Sequence, residues 1–66
     1  MIYSDTENLE WWKRLADSDK VDILTAMFDQ ASTKEFRAFV VSVTERYEMG
    51  KPLTASQIGA IRKWAK

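Results

Sequence analysis

Three carboxylates crowd one short stretch of the chain, Asp17, Asp19 and Asp22. Oxygen ligands at alternate positions suit a hard cation such as calcium. A calcium loop also needs an oxygen two places beyond Asp19, a glycine at the turn and a distant glutamate. Val21 stands at the oxygen position and the glycine is missing. The aspartates therefore read as helix caps, placed where a helix N-terminus favours negative charge, and no metal site is expected. The chain has neither cysteine nor histidine, which removes disulfides, thiol nucleophiles, the usual zinc sites and imidazole acid–base work. Serine and threonine hydroxyls have no base to activate them. Paired carboxylates need an enclosing pocket to shift their pKa values, and a core this small has little room for one. Gly50 and Gly59 stand alone and make no phosphate loop. Neither a catalytic nor a cofactor-binding residue is expected, and the chain reads as a non-enzyme.

Binding is the remaining chemistry. Trp11 and Trp12 are neighbours, so on a helix they point about 100° apart and cannot both centre on one core. Trp12 fits the apolar face and Trp11 lies at its edge, while Ile23 and Val41 also fall off the apolar faces of their segments. Scattered exposed apolar residues are ordinary on protein surfaces. As a set, Trp11, Ile23 and Val41 are candidates for a protein-contact patch, for which tryptophan is a favoured anchor. A second candidate set is basic: Lys51, Arg62, Lys63 and Lys66. Cations in a last turn favour the helix dipole, and the same residues could contact nucleic-acid phosphates.

The chain of 66 residues bounds the answer to one domain, residues 1–66, near the lower limit for folding without a metal or disulfide. Ten basic and ten acidic side chains cancel, but unevenly: residues 1–33 carry −4 and residues 34–66 carry +4. The two halves could attract each other within one fold, or one end could meet a charged partner. No apolar run approaches a membrane span, and Asp5, Glu7 and Glu10 stand where a secretion signal would be basic. The expectation is a soluble protein of the cytoplasm.

Four amphipathic segments position these residues. Ser4 and Glu7 form a capping box opening a helix to about Ala16, with Leu9, Trp12, Leu15 and Ala16 on one face. Asp17, Ser18 and Asp19 supply caps for a second helix from about Asp19 to Gln30, whose buried face is Val21, Leu24, Met27 and Phe28, with Ala31 at its exit. Residues 32–35 form another box, Ser32 to Glu35, opening a helix from about Thr33 to Met49 that carries Phe36, Phe39, Val40, Val43 and Tyr47. Gly50 is placed as its C-terminal cap and Pro52 prevents continuation. Thr54 and Gln57 form a third box, Leu53 and Ile58 have staple spacing, and Ile58, Ile61, Trp64 and Ala65 share a face. No period-two alternation competes. The spacing predicts an all-α protein, a three- or four-helix bundle with the third helix at its centre.

Phe39, Ser42, Val43, Arg46, Gly50, Leu53-Thr54, Gln57 and Arg62 also carry a resemblance. Residues 36–66 resemble a short helical module of small bacteriophage proteins, in which an aromatic-rich helix ends in glycine and a second starts with Leu-Thr-x-x-Gln. The resemblance implies a phage origin, with the host cytoplasm as setting, and a neighbourhood of replication or recombination functions. Residues and resemblance together lead to an accessory or inhibitory protein-binding module. The alternatives are a nucleic-acid-associated protein using its basic C-terminal helix, and a structural subunit of a small homo-oligomer.

Overall fold

In a computed structural model of the chain, residues 3–65 are described. They form four helices, α1 (Asp5–Arg14), α2 (Asp17–Gln30), α3 (Lys34–Glu48) and α4 (Ala55–Ala65), and no strand. The starts and stops follow local chemistry. At α1, Ser4 Oγ accepts from the Glu7 amide at 3.2 Å while Glu7 Oε1 accepts from the Ser4 amide at 2.9 Å. At α4, Thr54 Oγ1 and Gln57 Oε1 exchange the same pair of bonds at 3.2 and 2.9 Å. Gly50 has φ 77°, and its amide donates to Tyr47 O while that of Lys51 donates to Arg46 O. These two bonds close a Schellman turn, which satisfies the last carbonyls of α3. Arg46 Nε then reaches the Pro52 carbonyl at 2.7 Å and fixes the link to α4.

Three boundaries differ from expectation. α1 ends at Arg14, and extended backbone at Leu15 and Ala16 turns the corner into α2. The N-cap of α2 is Ala16, which has no side-chain bond to offer; Asp17 and Asp19 sit inside the first turn and act through the helix dipole. α3 is capped by Thr33, whose Oγ1 accepts from the Phe36 amide at 3.0 Å. The cap thus falls one residue later than Ser32, with phenylalanine where a box needs glutamate.

Trp12, Leu24, Met27, Val40, Val43, Leu53, Ile58 and Ile61 make the core. α1 packs chiefly on α4, α4 also meets α2, and α2 packs on α3. The middle of the bundle is therefore α2 and α4 rather than α3. α2 is also rotated relative to the predicted face. Leu24, Met27 and Ala31 are buried and Ile23 packs in at one edge, whereas Val21 and Phe28 emerge at the other, 48% and 45% exposed. In α1 the buried pair is Asn8 and Trp12, with Leu9 turned outward. In α4, Ile58 and Ile61 are buried, Trp64 is half-buried against the core, and Ala65 is exposed. α3 keeps its predicted face: Val40 and Val43 are buried, and Phe36, Phe39 and Tyr47 pack beside them.

Candidate functional site

The rotation of α2 opens a groove. Along the seam between α2 and α3, Val21, Leu24, Thr25 and Phe28 face Val41, Thr44, Glu45, Tyr47 and Glu48 across an open concavity of about 390 Å³. Its floor is Leu24, and its walls are the exposed side chains of Val21, Phe28 and Val41. The charged groups in its lining are Glu45 and Glu48. On α2, Asp22, Thr25 and Asp29 follow each other at i, i+3 and i+7, so two more exposed carboxylates run beside the groove.

The ends of this groove are held by specific contacts. Tyr47 Oη donates to Asp17 Oδ1 at 3.1 Å, tying the end of α3 to the start of α2. The Tyr47 ring meets Trp12 edge-on at 6.1 Å. Removal of the phenol from water, then the Asp17 carboxylate, raises the Tyr47 pKa above its ordinary value. At the other end the Arg37 guanidinium lies 5.8 Å from the Phe28 ring and donates to the Ala31 carbonyl at 3.4 Å. That carbonyl is at the C-terminus of α2, where a cation is favoured.

A second concavity, about 440 Å³, is lined by Leu9, Trp12, Lys13, Tyr47, Lys51, Leu53 and Ile58, with Gly50 and Pro52 at the α3–α4 turn. Its charged groups are Lys13 and Lys51, opposite in sign to those of the α2–α3 groove.

Of the predicted contact residues, Val41 is 41% exposed and lines the groove. Trp11 and Ile23 are half-buried against the core and line neither concavity. The three therefore share no concavity. Val41 instead joins Val21 and Phe28, both of which the periodicity assigns to the core. Trp11 lies 6.1 Å from Trp12 and 5.6 Å from the Arg62 guanidinium, which stacks on Tyr3 at 3.4 Å and donates to the Glu7 carbonyl at 3.3 Å. The Ser4 amide, then the Ser4 hydroxyl and Arg62, hold the Glu7 carboxyl below its ordinary pKa.

The basic set is dispersed. Arg62 is half-buried in the Tyr3–Glu7 contact. Lys51 precedes α4 and Lys63 lies in its last turn, so about 12 Å of helix rise, from Ala55 to Lys63, lies between them. Lys66 lies outside the described residues. Among the described residues no cluster of acidic side chains could hold a metal ion, and no helix is long and apolar enough to cross a membrane. No family model matches the chain, and no curated protein or solved structure matches it either.

Proposed function

We propose that this chain is a small non-enzymatic protein-binding module of accessory or inhibitory type that uses the α2–α3 groove as its contact surface. One observation carries the reading: Val21, Phe28 and Val41 remain exposed together over an apolar concavity on a chain with very little core to spare. Burying such side chains is worth about 1.5–3 kcal/mol each when complete, so leaving them open favours a partner that covers them. Phage origin and action in the host cytoplasm belong to the same proposal; they rest on the resemblance of residues 36–66 and on the cysteine-free composition.

The test compares three immobilised forms of the chain in nuclease-treated bacterial lysate: wild type, Val41→Glu and Lys63→Glu. A protein species held by wild type and Lys63→Glu but lost by Val41→Glu is the expected result. Retention unaffected by Val41→Glu, or lost only with Lys63→Glu, would move the contact surface to another face.

A further inference from the structure

We infer that the occupant of the α2–α3 groove is a basic amphipathic helix of a partner protein; this rests on the groove being the contact surface. Three features of the groove define its ligand. Its length comes first. Val21 and Phe28 are seven residues apart on α2, about 10 Å of helix rise, which matches two turns of a bound helix presenting anchors at i, i+3 or i+4, and i+7. Its shape is the second: a seam between two packed helices is a furrow into which the side-chain ridge of a third helix fits.

Charge is the third feature. Glu45 and Glu48 line the groove, and Asp22 and Asp29 run beside it. Arg37, near the Phe28 end, is already engaged with the Phe28 ring and the Ala31 carbonyl, and Lys34 begins α3 on that side. The open stretch between Val41 and Glu48 is thus acidic. Apolar anchors flanked by lysine or arginine would pair with it, and complementary charge of this kind sets specificity and association rate. The same carboxylates disfavour the other occupants. A second copy docking groove to groove would bring the acidic linings of both copies, Glu45 and Glu48 with Asp22 and Asp29 beside them, into one interface, and nucleic-acid phosphate would be repelled.

The experiment uses two labelled helical peptides with leucine at i, i+3, i+4 and i+7, one carrying lysine and the other glutamate elsewhere. Fluorescence anisotropy is read near physiological salt against the full chain, with circular dichroism confirming each variant folded. The lysine peptide is expected to bind with micromolar Kd. Val41→Glu should weaken it about tenfold, as should Glu45→Lys with Glu48→Lys, and that double reversal should bind the glutamate peptide instead. Absence of lysine-peptide binding up to millimolar concentration overturns the inference. If the glutamate peptide binds wild type equally well and depends on Val41, the groove reading stands and the basic class falls. Lysine-peptide binding indifferent to both Val41→Glu and the double reversal overturns groove and class together. A wild-type dimer in sedimentation that Val41→Glu dissolves would make a second copy the occupant and likewise overturn the inference.

Discussion

Asn8 and Gly59 meet where α1 crosses α4, and the sign of a glycine substitution turns on that contact. Asn8 is 7% exposed, and its Oδ1 has no hydrogen-bond partner in the protein. A Cβ added at Gly59 would stand 3.1 Å from Asn8 Nδ2. Alanine in a helix interior gains about 1 kcal/mol over glycine, but here the enclosed amide must shift to admit it. Gly59→Ala alone is expected to gain nothing or lose stability, whereas in an Asn8→Ala background it should gain the full amount. Equal effects in both backgrounds, measured by denaturant unfolding, would show that the amide yields freely. Tyr47 gives a second residue-scale outcome. Its folded pKa is raised by loss of water and by Asp17. The unfolded state therefore loses its proton first, so the contribution is complete below the ordinary tyrosine value of about 10, and is lost as pH rises through the folded value. Melting temperature should fall over that alkaline window, and less steeply in Tyr47→Phe.

At the scale of elements, caps and turns were the most legible features because their chemistry is local. Ser4 with Glu7, Thr54 with Gln57, and Gly50 each act within one turn of chain. Gly50→Ala meets no neighbouring atom, so its cost is the backbone conformation alone, about 1–2 kcal/mol; a smaller loss in thermal melts would mean that the turn relaxes. Ser32 and Thr33 offered adjacent hydroxyls, and spacing alone chose the wrong one. The N-cap of α2 is an alanine and carries no side-chain signal. Helix faces were legible only to within a rotation, because periodicity shows how wide an apolar arc is and not which part a neighbour covers. On α2 that rotation took Ile23 inward and Val21 and Phe28 outward. Trp64 shows the same limit: it shares the face of Ile58 and Ile61 but lies half-buried at its end. Trp64→Ala should therefore cost about 2 kcal/mol, less than the 2–5 kcal/mol range for truncating a fully buried Met27 to alanine would allow at its upper end. Parallel melts of Trp64→Ala and Met27→Ala test the order, with Met27→Ala the more destabilised.

At the scale of the whole molecule, the charge asymmetry of the sequence is not consumed in ion pairs between helices among the described residues. Among the described residues the one salt bridge is Lys20 to Asp17 at 4.0 Å, local to α2 and exposed on the aspartate side, and such pairs contribute little. Asp22 and Asp29 of α2 and the Glu45–Glu48 turn of α3 are left facing outward beside exposed Val21, Phe28 and Val41. Of that site the sequence disclosed Val41, which stood off its apolar face; the rest depended on how α2 turns against α3. Dispersal of Lys51 and Lys63, with Arg62 engaged by Tyr3 and Glu7, predicts no saturable DNA binding near physiological salt. Micromolar binding with a salt slope of about −3.6, the value for four phosphate contacts, would contradict this if Arg62→Glu with Lys63→Glu abolished it. The central claim is that a partner covers the α2–α3 groove, and amide chemical-shift mapping by NMR during titration with the leucine–lysine helix tests it most directly. Shifts concentrated at Val21, Thr25, Phe28, Val41, Thr44 and Glu48 are the predicted result. Shifts confined to α1 and α4, with the α2–α3 seam unmoved, would contradict it.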